Sequence, residues 1–286
     1  MITQTTYKNF GNCVEFNNGK IKALVTTDIG PRIIFYGTAG GKNIFFEDTE
    51  RAVSNGGGYF DKTFRTGERW NIYGGHRLWK SPEEDATYVP DNYPVEYSVE
   101  KNFAEFLQPI QPNTRLRFGM RVEMSESGGL TVTHTVTNFG SYTVNLSVWA
   151  ITVLKAGGKA TFPLNTNDTG FLPNNFISYW PYNDLNDSRL LRDEAKKALV
   201  LSQDPNAARA FKIGLLLKKG EASYTADGMT FAKKFGYRNG AVYPDNGCNF
   251  EAYTSNLILE MEGLSPVYAV EPNTSVTHVE KFELTF

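Results

Sequence analysis

Apolar and polar residues alternate one by one in segment after segment of this chain, and a repeat of two suits a β-strand and not a helix. The run Leu130-Thr131-Val132-Thr133-His134-Thr135-Val136-Thr137-Asn138 is the clearest case: Leu130, Val132, His134, Val136 and Asn138 fall on one face and four threonines on the other. Further strands are expected over Cys13 to Phe16, Ile21 to Thr26, Arg32 to Tyr36, Val95 to Lys101, Thr114 to Met124, Val144 to Leu154, Ala210 to Lys218, Met229 to Phe235, Cys248 to Leu259 and Val276 to Phe286. Asn17-Asn18-Gly19, Asn239-Gly240 and Asp245-Asn246-Gly247 provide turns between them. The short spacing predicts an all-β, antiparallel architecture.

Helical patterning is confined to Ser188 to Ala198, after a cap at Asn186 or Asp187, and a short surface helix or turn is expected there. Glu47 to Asp91 and Gly157 to Asp187 read as long irregular segments, and their Trp, Tyr and Phe content argues for order and function. The second is expected to cap a cleft. With no linker, repeat or composition shift, one domain is expected over residues 1–286.

Composition removes several classes of function. A net charge of -2 leaves no basic excess for a phosphate backbone, so nucleic acid is not an expected partner. The two cysteines, Cys13 and Cys248, are too far apart in the chain for a redox or zinc motif, and three scattered histidines give no metal-ligand spacing, so no metal is expected. Neither a basic n-region with an apolar core nor eighteen consecutive apolar residues occurs, which predicts a cytoplasmic protein with no membrane partner. GxGxxG, P-loop, GxSxG and HExxH signatures are absent. Aromatic residues make up 14% of the chain, which suits both strands and surfaces on which sugars stack.

Four places carry groups able to do chemistry. In Tyr73-Gly74-Gly75-His76-Arg77-Leu78-Trp79, followed by Ser81-Pro82-Glu83-Glu84-Asp85, the glycine pair lets backbone approach a ligand. There Arg77 can donate to vicinal hydroxyls, Trp79 can stack on a pyranose and Glu83 can accept hydroxyl protons. The alternative is a plain turn, a core tryptophan and an Arg77–Glu83 ion pair. His134, with Asn138, shares an apolar strand face, where an imidazole needs either a backbone or carboxylate partner or a role in a site. In Asn256-Leu257-Ile258-Leu259-Glu260-Met261-Glu262, Glu260 and Glu262 share a face with Ile258; crowding in a cleft would raise the pKa of at least one of them, whereas on a face turned to water the pair is a solvated edge, the commoner outcome for glutamates. His278 and Glu280 share the face of the last strand that carries Phe282 and Leu284, where a buried structural His–Glu pair is expected, with support of the site carboxylates as the alternative.

With these residues in view, the chain resembles the galactose mutarotase-like (aldose 1-epimerase-like) superfamily, and within it an uncharacterised bacterial branch with a GGHRLW loop followed by Pro-Glu. The resemblance rests on Asp28-Ile29-Gly30-Pro31-Arg32-Ile33, on Gly74 to Glu83, on Val132 to Asn138 with Trp149-Ala150-Ile151-Thr152, and on Leu259 to Phe286 with its Glu-Pro-Asn-Thr-Ser turn. It implies a β-supersandwich of antiparallel sheets with a sugar site on a concave face, binding a mono- or oligosaccharide. In mutarotases a glutamate on a late strand takes the anomeric proton while a histidine protonates the ring oxygen. That chemistry needs no cofactor.

The resemblance makes Glu260 the base, with Glu262 beside it. The family's histidine after an Asn-Leu pair falls at Trp149, in Asn145-Leu146-Ser147-Val148-Trp149, and an indole N–H cannot take that role. The histidine that precedes a glycine pair in the family has no match, since His76 follows Gly74-Gly75. The acid is therefore expected from His134 or His76. Arg77, Trp79, Glu83, Asn138, Trp149, Thr152 and Glu262 are the expected sugar contacts. An isomerase acting at an anomeric carbon is the leading expectation; a non-catalytic carbohydrate-binding protein is the alternative, and a scaffold whose cleft is bridged by Glu260 and Arg77 is a third.

Overall fold

The computed structural model describes residues 1–65 and 67–286. Two antiparallel sheets, of 11 and 10 strands, dominate it. The middle of the larger sheet runs in the order Ile33–Thr38, Gly75–Ser81, Val144–Leu154, Leu259–Leu264, Phe250–Thr254, Phe211–Leu215. The smaller sheet has Met229–Phe235, Ser275–Thr285, Leu130–Asn138 and Leu116–Met124 at its centre. Among the described residues no helix is long and apolar enough to cross a membrane.

The two-residue period explains why the sheets stack. Leu130, Val132 and Phe282 of the smaller sheet meet Leu154, Leu259, Met261 and Phe250 of the larger one in a hydrophobic layer that draws on residues from Val14 to Leu284. Tyr36, Phe45, Phe231 and Phe282 form an aromatic knot within it, with Phe45 and Phe231 edge-to-face at 5.3 Å. A second apolar group, including Trp79, Trp149, Ile151, Val153 and Leu264, occupies the opposite face of the larger sheet. This sheet therefore buries both faces, and its central strands lack the polar alternation of a half-exposed strand.

Several expected strands have the predicted bounds, including Ile21–Thr26, Leu130–Asn138, Val144–Leu154 and Met229–Phe235. Three expectations are corrected. Of the helix or turn expected over residues 188–198, no helix forms and the turn does, at residues 194–197, joining Leu190–Asp193 to Ala198–Ser202 in an antiparallel hairpin whose second strand also pairs with Lys159–Pro163. Ladder pairing and the burial of Ala198, Leu199 and Leu201 outweigh the local helix preference. The segment Cys248 to Leu259 is two strands, Phe250–Thr254 and Leu259–Leu264, joined by a turn closed from Ser255 N–H to the Ile258 carbonyl. The stretches Glu47 to Asp91 and Gly157 to Asp187 are not irregular throughout, since the first holds Gly75–Ser81, a fully buried strand, and the second holds the strands Lys159–Pro163 and Ile177–Tyr179.

The glycine pair that opens this strand approaches protein backbone and not a ligand. Both residues take positive φ, 98° at Gly74 and 66° at Gly75. A Cβ on Gly74 would lie 2.1 Å from the Phe46 carbonyl oxygen, and one on Gly75 would lie 2.3 Å from that of Ile33. The chain must turn tightly here to seat Gly75–Ser81 between its neighbours. Gly75→Ala combines a strained φ with a backbone clash and is expected to cost about 2 kcal/mol or more in urea unfolding, whereas a loss within about 0.5 kcal/mol would show that the turn is not constrained.

Candidate functional site

On the outward face of the larger sheet lies a cleft of about 600 Å³. Its floor comes from three adjacent strands. Trp149 stands opposite Trp79 in the ladder, Ile151 stands opposite both Arg77 and Glu262, and Val153 stands opposite Glu260. Because alternate residues share a face, Arg77 and Trp79, Trp149 and Ile151, and Glu260 and Glu262 all point the same way. Glu83 and Tyr88 enter from the segment after Gly75–Ser81, Tyr253 and Lys212 from the next two strands, and Trp180 and Tyr182 from the segment after Ile177–Tyr179. All four tryptophans of the chain line this one cleft.

The charged groups are paired. Arg77 Nη1 lies 3.2 Å from Glu260 Oε1, and its guanidinium stacks 4.4 Å from the centre of the Trp79 ring and 5.5 Å from that of Trp70. Lys212 Nζ bridges Glu251 Oε2 at 2.7 Å and Glu262 Oε2 at 3.1 Å, and the Trp149 indole N–H donates to the same Glu262 oxygen at 2.9 Å. Tyr88 donates its hydroxyl to Glu83 Oε1 at 2.6 Å.

Burial raises the Glu260 carboxyl above the usual range; Arg77 opposes this and Glu262 adds to it. Burial also pushes Glu251 well above its ordinary value, against the attraction of Lys212 and with the repulsion of Glu262. One ammonium serves two carboxylates there, and Glu262 has the indole donor besides. For Lys212, burial opposes the charge, but Glu262 and Glu251 outweigh it and raise its pKa.

Glu260, Glu262, Arg77, Trp79, Glu83 and Trp149 are thus brought together at the cleft. His76, His134, Asn138 and Thr152 are not: all four are fully buried and none lines it. The expectation that His76 or His134 supplies the acid is corrected on simple geometry. His76 precedes Arg77 in a strand, so its ring leaves the opposite face and enters the layer between the sheets. His134 faces that layer from the other sheet. Asn138 is also structural, its side-chain amide donating to the carbonyls of Tyr142 at 2.8 Å and Val270 at 2.9 Å.

Between the sheets these residues form a polar relay whose proton positions follow from its ends. His134 Nδ1 lies 3.0 Å from the His278 carbonyl oxygen, which can only accept, so Nδ1 carries the proton. Burial drives the His134 pKa down to about 4, so the ring is neutral and its Nε2 is an acceptor. His76 Nε2, 2.6 Å away, must then donate, and its Nδ1 accepts from the Thr152 hydroxyl at 2.9 Å. Burial first and His134 second hold His76 well below its ordinary value. Lys233, also fully buried, donates to the carbonyls of Ala150 at 2.7 Å and Met261 at 3.0 Å and to Thr152 Oγ1 at 3.2 Å, and pairs with Glu280 at 3.1 Å. Gly263 leaves the space that Glu280 fills, since a Cβ there would lie 2.1 Å from its Oε1. His278 and Glu280 are buried 3.5 Å apart, as expected for the last strand.

One ring nitrogen each of His76 and His134 and a Glu280 oxygen lie within 4.8 Å of one another, which is a cation-ligand grouping by distance. The Lys233 ammonium already sits on Glu280, however, and the two imidazole nitrogens face each other at hydrogen-bond distance. An internal ammonium supplies the positive charge here.

The cleft-lining aromatics Trp70, Trp180, Tyr88, Tyr182 and Tyr253, and Lys212 with Glu251, were not singled out from the sequence. Lys212 and Glu251 stand on predicted strands, but only cross-strand register shows that their faces coincide with that of Glu262.

No family model matches the chain, and no curated protein sequence matches it. Solved structures do. It superposes on a galactose mutarotase-like protein from Clostridium acetobutylicum with a TM-score of 0.56, 11% identity, and coverage of 100% of this chain and 98% of that one. A galactose mutarotase-like protein from Lactobacillus casei gives a TM-score of 0.56 at 11% identity over 96% of this chain and 100% of that one. A TPR-domain containing protein from Parabacteroides distasonis gives 0.63 at 11% identity over 96% of this chain, which spans 47% of that longer protein. The chain has the galactose mutarotase-like fold.

The relay makes a prediction about acid stability. The folded-state pKa of His134, about 4, lies below its ordinary value of 6.5, so between these values the unfolded chain binds the proton and the folded chain does not. Stability is then lost as pH falls from about 6.5 to about 4, by on the order of 3 kcal/mol for this group. His134→Gln is expected to flatten the dependence measured by urea unfolding across that range; an unchanged slope in the variant would contradict a neutral buried imidazole.

Proposed function

We propose that this protein binds a sugar in the tryptophan-lined cleft. The observation that carries the reading is the convergence of all four tryptophans on one cleft that also presents Arg77, Glu83 and Glu260. Indole faces pack on the apolar C–H face of a pyranose, and carboxylate and guanidinium groups at the rim of that contact satisfy its hydroxyls. The side chains do not fill the cleft, while Arg77 and Glu260 do pair within it, which is the bridge expected of the scaffold alternative. Structural neighbours named for mutarotases support a carbohydrate ligand at the level of fold.

A second reading has one observation in its favour. Burial raises the Glu260 carboxyl above its ordinary value, which makes its carboxylate a stronger base for an anomeric hydroxyl. In an aldose 1-epimerase-like isomerase, Glu260 would remove that proton and a second group would protonate the ring oxygen. None of the three histidines lines the cleft, so the donor on this reading is another cleft group or water.

One set of measurements separates the readings. Anomer interconversion of a panel of aldoses is followed by NMR exchange with the intact protein and with Glu260→Gln, alongside binding by calorimetry. The binding reading predicts heat of binding, a roughly tenfold loss of affinity in Trp79→Ala, and no faster interconversion. Acceleration that disappears in Glu260→Gln would replace it with the isomerase. Absence of binding by every sugar would overturn both.

A further inference from the structure

The cleft contains the same small device twice. In one half, Trp79 and Trp70 flank the Arg77 guanidinium, which pairs with Glu260. In the other, Trp149 and Trp180 flank the Lys212 ammonium, at 4.7 and 4.8 Å, and that ammonium pairs with Glu262. Each half thus has two indoles around one cation and a cleft-facing carboxylate, and in the second half the buried Glu251 also holds the ammonium. The two carboxylates are alternate residues of a single strand, so their backbones stand about 7 Å apart on one face.

Each half also retains a buried polar atom with no protein partner, Nε of Arg77 in the first and Oε1 of Glu262 in the second. Both residues line the cleft and are more than nine-tenths buried. Each of these atoms is sealed from solvent, so it can meet a ligand's polar atom only if its side chain turns on binding. A single pyranose offers its two apolar faces to one pair of indoles and leaves the second pair without a role. A cleft of about 600 Å³ falls in the middle of the range that encloses drug-sized molecules, and one hexose is small on that scale.

We infer that the cleft has two sugar subsites, one at Trp79, Arg77 and Glu260 and one at Trp180, Lys212 and Glu262, and that its ligand is a disaccharide or a longer chain of neutral sugars. This rests on the sugar-binding reading. Neutrality follows from the pairing: both cations are already held by carboxylates, and Glu83 adds a further negative charge, so a phosphate or uronate group would meet no free positive partner.

The test uses calorimetry on the intact protein with glucose, galactose and mannose, with maltose, cellobiose, lactose and mannobiose, and with glucose 6-phosphate and glucuronate. At least one disaccharide is expected to bind tenfold or more tighter than its component monosaccharides, and the anionic sugars are expected to bind more weakly than their neutral parents. Trp180, partly exposed and outside the strands, can be replaced without disturbing the sheets, and Trp180→Ala is expected to cost the disaccharide about tenfold more affinity than it costs the component monosaccharides. Equal affinity for mono- and disaccharides, or equal losses for both in Trp180→Ala, would overturn the two-subsite inference and leave sugar binding intact. Tighter binding of an anionic sugar would overturn the neutrality. Failure of all these sugars to bind would remove the underlying reading as well.

Discussion

In the strands Gly75–Ser81, Val144–Leu154 and Leu259–Leu264, successive side chains leave the sheet on opposite faces, and this period of two decides which groups can meet a ligand. His76, Thr152 and Met261 go to the layer between the sheets; Arg77, Ile151, Glu260 and Glu262 go to the cleft. A one-residue slip in any of the three strands would exchange the two sets. Register is therefore the quantity the rest of the molecule must protect, and the hydrophobic layers on both faces do most of that work.

The interior relay adds direction to this packing. Lys233 of the smaller sheet reaches the carbonyls of Ala150 and Met261, which belong to neighbouring strands of the larger one, and so ties the two strands that carry Trp149 and Glu260 on their far side. Glu280 balances the charge, and burial leaves the two histidines neutral and oriented. A buried ion pair of this kind contributes less to net stability than its Coulomb attraction suggests, but removing one partner leaves the other uncompensated in the core, at a cost of about 3–5 kcal/mol. The network is conditional on complete pairing, which suits a scaffold that must hold one geometry.

Much of the fold was legible because alternation is a local property. The strand around His134 was read with its correct bounds and faces, and the shared face of Ile258, Glu260 and Glu262 was read from spacing alone. Position across the sheets was not legible in the same way. His134 was known to face inward or towards a site, but only the opposing strand shows that inward means the His278 carbonyl. The glycine pair before His76 looked like a loop poised for a ligand, whereas close backbone approach from Phe46 and Ile33 accounts for both glycines. Trp70, Trp180 and Lys212 lie far apart in sequence and converge only through long-range pairing, which no local pattern encodes.

The convergence of all four indoles on one cleft gives the central claim an economical test. With tryptophan labelled by 15N, the side-chain N–H groups provide four signals, one from each cleft-lining residue. Titration with a bound sugar is predicted to move all four together along a single binding curve, with the Trp149 signal reporting any change at Glu262. Indole signals that stay fixed while sugar binding is detected by calorimetry would place the carbohydrate site elsewhere on the molecule and contradict the account.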